Sequence, residues 1–142
     1  MGFDLTLALQ IIKEFEGCSL VAYQDIVGVW TIGYGTTLGV HSGMIITGDQ
    51  ADAFLENDCN VLSGQITKST RALKDQQYCA LISFAYNLGF SALYHSTLLK
   101  DINAGASDSD IVAQFMLWNH AGGKVVSGLT KRRAAEAALY IS

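Results

Sequence analysis

Glu16, Asp25 and Thr31 are the side chains in this sequence whose types and spacing suggest catalysis. Glu16 continues the apolar face of a predicted helix, where burial favours the protonated form of a carboxyl group. Asp25 follows in a polar turn, and Thr31 lies in the segment after that turn. A protonated acid, an ionised acid and a hydroxyl around one crevice suit glycoside hydrolysis. One acid would protonate the leaving oxygen, and the other would activate water or act as the nucleophile.

The elements that position these groups follow from apolar periodicity. Leu5, Leu9 and Ile12 are spaced i, i+4, i+7 and predict a first helix that Gly17 ends. Residues 20–35 are rich in β-branched and aromatic residues and are broken by glycines, which predicts a short β-hairpin with Asp25 in or beside its turn.

Helical periodicity returns after this hairpin and continues to the end of the chain. Thr47 and Gln50 form a capping-box pattern that opens a helix through about Leu62. Asp75 can cap a strongly apolar helix that Gly89 ends, and the Gly-Gly pair at 122–123 predicts a local turn. Further helices are predicted at about 97–103, 109–118 and 129–141.

No repeat or linker interrupts the sequence, so one domain of residues 1–142 is expected. The fold class is α+β and mostly helical. We expect a small hairpin lobe of about residues 15–45 and a helical lobe of about residues 70–142. A connecting helix of about residues 47–64 would join the two lobes. The first helix would pack as part of the helical lobe. A ligand would bind in the cleft between the two lobes.

Composition excludes several classes of protein. Only 15% of the residues are charged, 50% are hydrophobic, and the net charge is −4, which does not fit a disordered chain or a polybasic nucleic-acid-binding protein. No apolar run approaches the length of a membrane span, and no basic segment opens a signal peptide. We therefore expect a soluble protein with no nucleic-acid partner and no stable membrane insertion.

The cysteines and histidines do not predict a metal site or a cofactor. No CxxC pair exists, and neither residue type has metal-ligand spacing. The cysteines are expected to pack as small buried hydrophobic residues, with one disulfide and a free thiol as the alternative in an oxidising compartment. These residues are Cys18, Cys59 and Cys79 and His41, His95 and His120.

The sequence that surrounds the three candidate residues is a more specific signal than their spacing alone. FEGCSLVAYQDIVGVWTIGYGTT at 15–37 resembles the active-site segment of the bacteriophage lysozyme (endolysin) family, glycoside hydrolases that cut bacterial peptidoglycan. The similarity continues in SFAYNLG at 83–89 and GLTKRRAAE at 128–136, so it covers nearly the whole chain in order. It implies a lysozyme-like fold.

The resemblance also assigns site residues. It implies that Glu16, Asp25 and Thr31 are catalytic. Before the resemblance is considered, an aromatic residue and an amide near a helix end are more typical of a core residue and a cap. The family's sugar-contacting positions correspond to Thr37, Tyr86 and Asn87.

Two further positions are left open by the resemblance. In the family an arginine of the GLTKRRAAE motif can pair with the catalytic Glu, which here means either Arg132 or Arg133. Many relatives have His where this chain has Thr36, so the usual hydrogen bonding at that position is not predicted.

The function implied by the resemblance is hydrolysis of the β-1,4 bond between N-acetylmuramic acid and N-acetylglucosamine, with inversion, no cofactor and no metal. A monomer would wait in the host cytoplasm and reach the periplasmic cell wall after the membrane is permeabilised, causing host lysis. A lytic transglycosylase would use Glu16 without needing Asp25 or Thr31. A non-catalytic glycan-binding module would keep the fold and the cleft without needing Glu16 as a proton donor.

Overall fold

A computed structural model describes residues 4–142 of the chain, and residues 1–3 of the predicted domain of residues 1–142 lie outside the described part. Seven helices and two short antiparallel hairpins make up this part. In chain order they are α1 (Thr6–Phe15), β1 (Ser19–Gln24), β2 (Trp30–Gly33), α2 (Gly48–Ser69), α3 (Asp75–Leu88), α4 (Phe90–Tyr94), α5 (Thr97–Ala104), α6 (Asp108–Met116), β3 (His120–Ala121), β4 (Lys124–Val125) and α7 (Ser127–Ile141).

Helix α1 ends one residue before Glu16. Ala8 and Ile12 are its fully buried side chains, in agreement with the predicted apolar face. Glu16 is the C-cap, with extended backbone angles of φ −94° and ψ 138°, and its N–H still donates to the carbonyl of Ile12 at 2.8 Å. The carboxyl group therefore starts from a fixed point where the chain leaves the helix.

The first hairpin pairs β1 with β2 and has the predicted position. Tyr23 lies opposite Thr31 in the register, and an irregularity in the pairing precedes Tyr23. The chain then returns alongside β1, where Val21 bridges to Ile45. A small cluster of buried residues holds this lobe against the start of α2; it consists of Ile32, Ile46 and Ala51.

Helix α2 begins with the predicted capping box, because Gln50 N–H donates to the Thr47 hydroxyl and Thr47 N–H donates to the Gln50 side chain. It continues to Ser69, beyond the predicted end near residues 62–64. Gly64 stays within the helix, and the buried Ile66 continues its inner face. Packing of this last turn outweighs the weak helix propensity of the glycine.

The helical lobe differs from the prediction at short elements. Lys74, not Asp75, is the N-cap of α3, since Asp75 is already the first helical residue. Gly89 ends α3 as predicted, with a φ of +95° that a side chain would strain. Helix α4 and the β3–β4 hairpin were not predicted, because elements of five and two residues leave no periodic pattern.

The main core lies in the helical lobe. Phe84 of α3 is at its centre, with edge-to-face contacts to Phe115 and Trp118 at centroid distances of 5.9 and 5.4 Å. Tyr34, just after β2, packs against both this core and the small cluster of the hairpin lobe. None of the helices in residues 4–142 is both long enough and apolar enough to cross a membrane.

Candidate active site

Glu16 occupies the junction of two surface grooves, each of about 220 Å³. The first runs beside the hairpin lobe and the second runs beside the start of α7, and Glu16 borders both. The first is lined by Glu16, Gly17, Cys18, Ser19, Tyr23, Tyr34 and Gly35. The second is lined by Phe15, Glu16, Asn87, Val126, Gly128, Leu129 and Arg132.

The carboxyl group of Glu16 is held by Arg132. Arg132 Nη1 donates to Glu16 Oε2 at 2.6 Å, and the arginine side chain is 3% exposed. The Glu16 side chain is 26% exposed, so the burial expected from its helical position is incomplete. A charge-assisted hydrogen bond from a buried donor fixes this carboxyl group between the two grooves.

Of the two candidate arginines, Arg132 contacts Glu16. Arg133 is fully buried instead, and its Nη2 donates to Asn87 Oδ1 at 2.9 Å. Successive residues on α7 point to different sides of the helix, so only one of them can reach Glu16. Both guanidinium groups meet the carboxylate of Glu136 below the grooves.

Asp25 and Thr31 are joined through the peptide groups of Val29. Asp25 Oδ1 accepts the N–H groups of Val27 and Val29 at 3.0 and 2.8 Å, and Thr31 Oγ1 donates to the Val29 carbonyl at 3.0 Å. Asp25 Oδ2 has no hydrogen-bond partner among residues 4–142. Thr31 is buried, and both residues lie on the hairpin outside the two groove linings.

The predicted sugar-contacting residues have three different environments. Tyr86 is half-buried and donates its hydroxyl to the carbonyl of Tyr34 at 2.7 Å, and burial raises the pKa of that hydroxyl above its ordinary value. Asn87 borders the second groove with its oxygen already bonded to Arg133. Thr37 is exposed and lies outside both grooves.

Thr36, where many relatives have His, is buried and donates its hydroxyl to Asp58 Oδ2 at 2.9 Å. The contact ties the segment after β2 to α2. Burial raises the pKa of the Asp58 carboxyl group, and the hydrogen bond from Thr36 opposes this rise only in part. Asp58 is thus a half-buried acid with a neutral partner.

We predict that Asp58→Asn stabilises the protein at pH 7. The folded state binds the Asp58 proton more tightly than the unfolded state, so stability contributed by this group is lost as pH rises above the unfolded pKa of 3.8. The amide can still accept from Thr36 and carries no charge to desolvate. The gain should be below about 1 kcal/mol because the group is partly solvated.

Urea denaturation at pH 7 and pH 3.5 measures this gain, which should shrink at the lower pH. Glu56→Gln, an exposed change on the same helix, is the control and should stay within about 0.5 kcal/mol of the parent. A less stable Asp58→Asn variant at pH 7 would contradict the prediction.

The cysteine prediction was right for two residues and wrong for one. Cys59 and Cys79 are fully buried, and burial raises the pKa of both thiols, that of Cys59 to about 12. Cys18 is exposed and borders the first groove, because it follows the point where the chain leaves α1. All three thiols are free. Within residues 4–142, no three His, Cys, Asp or Glu side chains lie together as a metal-binding group.

Ser83 and Glu136 contact Arg132, the partner of Glu16, and were not assigned a role from the sequence. Glu136 is three and four residues after the two arginines, a spacing that joins side chains on one helix face. On an exposed helix face that pattern is an ordinary solvated ion pair, so it does not by itself indicate a buried cluster. Ser83 gave no local signal at all, since its partner is 53 residues away.

Known proteins are similar to this chain over most of its length. The phage lysozyme family pattern matches residues 13–136. The endolysin of Acyrthosiphon pisum secondary endosymbiont phage 1 is 42% identical over 139 residues, 94% of each chain. The Bacillus phage PZA endolysin is 38% identical, and this chain spans about half of its length, 53%.

Solved structures agree with this similarity. The muramidase domain of SpmX from Asticaccaulis excentricus superposes with a TM-score of 0.87 at 31% identity, covering 95% of both chains. The lysozyme-like fold and the small hairpin lobe expected from the sequence are therefore confirmed. Because the family pattern covers most of the chain and the relatives are this similar, the chain belongs to the phage lysozyme family, the enzymes that hydrolyse peptidoglycan during host lysis.

Proposed function

We propose that this phage lysozyme cleaves the β-1,4 bond between N-acetylmuramic acid and N-acetylglucosamine, with Glu16 as the general acid. The observation that carries the proposal is the placement of Glu16, whose carboxyl group borders both grooves and is held by Arg132. A glycan strand lying along the two grooves brings a glycosidic oxygen to this carboxyl group.

Asp25 and Thr31 act on the other reactant. Asp25 Oδ1 is engaged by two backbone N–H groups, which leaves Oδ2 to accept a proton from water. The Thr31 hydroxyl gives its proton to Val29, so its lone pairs accept the second hydrogen of that water. As the C–O bond to the leaving sugar breaks, Glu16 protonates the departing oxygen, the water oxygen bonds to the anomeric carbon, and Asp25 takes the water proton.

The other candidate residues support substrate binding in different ways. Asn87 uses its oxygen on Arg133, so its NH₂ group is available to donate to an acetamido carbonyl in the second groove. Tyr86 acts through the position of Tyr34, which lines the first groove. Thr37 would contact sugar that extends beyond the grooves, where its hydroxyl is exposed.

Water attack from the face opposite the leaving group predicts inversion, so the first product from a β-linked glycan is the α anomer. Thr31→Ala should slow turnover far more than Thr31→Ser, which keeps the hydroxyl. Early-time NMR of the product and steady-state rates of both variants test this prediction. A β anomer, or a glycosyl ester trapped on Asp25, would replace inversion with a retaining route.

The test of the function is turbidity loss of outer-membrane-permeabilised Gram-negative cells, combined with mass analysis of the released muropeptides. Hydrolysis gives products with reducing ends. Anhydro-muramyl ends would identify a lytic transglycosylase instead. Binding to cell walls without release of any muropeptide would identify a glycan-binding module.

In the infected cell, the proposed enzyme is a cofactor-free monomer that is made in the host cytoplasm and degrades the cell wall after another protein permeabilises the membrane. Expression of the chain with and without a membrane-permeabilising agent tests this order of events. Lysis only with the agent is expected. Lysis without it would show that the chain reaches the wall unaided.

A further inference from the structure

Glu136 is a fully buried carboxyl group on α7 that borders neither groove. Its Oε2 accepts the Ser83 hydroxyl at 2.5 Å and lies 3.3 Å from Arg132 Nε. On the other side, Arg133 Nε lies 2.8 Å from Oε1. One buried acid therefore contacts both arginines of the GLTKRRAAE motif and a side chain of α3.

Arg132 connects this acid to the surface. Its guanidinium group faces Glu136 with Nε and Glu16 with Nη1, and its Nη2 donates to the Ser83 carbonyl at 3.1 Å. All three guanidinium nitrogens are thus in use. Because the group is planar and rigid, fixing two of its nitrogens fixes the direction of the third.

Stability alone gives little reason for such a cluster. The free-energy cost of removing two guanidinium groups and a carboxylate from water can exceed the gain from their mutual attraction. Apolar side chains of similar volume often give a protein that is equally stable. Among the described residues, Arg133 Nη1 has no hydrogen-bond partner at all. A buried cluster that is incompletely satisfied but precisely oriented suits the alignment of a reacting group.

We propose that Glu136 is a positioning residue for the reaction: it aims the Arg132 guanidinium group so that Nη1 holds the Glu16 carboxyl group at the junction of the grooves. This inference rests on the proposed function of Glu16. Misplacing a reacting group by about 1 Å can cost about 100-fold in rate. Loss of the Glu136 charge should therefore lower kcat while leaving KM nearly unchanged, since Glu136 touches neither groove.

A double-mutant cycle with a soluble peptidoglycan oligosaccharide tests the inference. Glu136→Gln should lower kcat about tenfold in the parent chain. In an Arg132→Gln background, the same change should alter kcat by less than about twofold, because the residue through which Glu136 acts is already lost. If Glu136→Gln does not fold, Ser83→Ala replaces it in the cycle with Arg132→Gln, because it removes the hydroxyl that donates to Glu136 Oε2. Its effect on kcat should likewise be smaller in the Arg132→Gln background.

Ile102→Ala is the matched control, because it removes fully buried side-chain volume from α5 and loses stability without touching the cluster. Its kcat should equal that of the parent below the unfolding transition. A Glu136→Gln kcat within twofold of the parent, or an equal fall in both backgrounds, would overturn the inference.

Glu16→Gln is measured in the same series, so that the two ideas can fail separately. An active Glu16→Gln variant would refute the proposed role of Glu16 as the general acid. An inactive Glu16→Gln variant beside a fully active Glu136→Gln variant would refute only the positioning role.

Discussion

Glu16→Gln should leave a folded protein that has lost nearly all of its lytic activity. The amide has the shape of the carboxyl group, and its oxygen can still accept from Arg132 Nη1, so the contact at 2.6 Å has a replacement. The amide cannot give a proton to the leaving sugar oxygen. General acid catalysis is typically worth about 10²–10⁴-fold, and the loss in kcat should fall in that range.

Turbidity loss of permeabilised cells measures the effect, with circular dichroism to verify folding. Glu14→Gln is the matched control, since it makes the same chemical change on the exposed side of α1. The control should lyse at the parent rate. A folded Glu16→Gln variant within threefold of the parent would remove Glu16 from the mechanism.

Glu136→Ala should lower the free energy of unfolding by about 3–5 kcal/mol, because deleting one member of a buried ionic cluster leaves the other charges uncompensated. Arg133 is 0% exposed, and burial lowers the pKa of its guanidinium group while the charge of Glu136 raises it. Burial likewise raises the pKa of Glu136, against the charge of Arg133. Removal of either group leaves the other buried without its opposite charge.

Urea denaturation at neutral pH measures this loss. Glu14→Ala, the exposed control, should change stability by less than about 0.5 kcal/mol. Glu136→Gln should lose less stability than Glu136→Ala, because its amide oxygen still accepts from the guanidinium groups. Glu136→Gln is therefore the variant suited to the kinetic measurements. A loss of less than about 1 kcal/mol in the unfolding free energy of Glu136→Ala would contradict the prediction, since it would mean that water solvates the two remaining guanidinium groups.

Much of the fold could be predicted because its signals are local. The period of α1, the capping box at Thr47 and Gln50, and the glycine that ends α3 each depend on a few neighbouring residues. The end of α2 was predicted too early, because Gly64 has low helix propensity while the burial of Ile66 beyond it depends on distant parts of the chain. Local propensity gives way where burial is decided by distant parts of the chain.

In the candidate site too, the residues with local sequence signals could be predicted and those that depend on tertiary packing could not. Glu16 and Asp25 are close in sequence, so their spacing and the motif around them are visible in one segment. Arg132 is 116 residues from Glu16. The resemblance indicated that an arginine of the motif would pair, but the choice between Arg132 and Arg133 depends on how α7 is rotated against α1 and α3. That rotation is a property of the packed helices.

Tyr34 joins the two lobes at the cleft, because it packs against the cores of both and its carbonyl accepts the Tyr86 hydroxyl. A neutral hydrogen bond of this kind contributes only about 0.5–1.5 kcal/mol net, since water replaces it when it breaks. Loss of this one bond therefore leaves the buried residues of both cores in place. Both grooves are open at the surface, so the middle of a long glycan strand can enter them from the side without a free end.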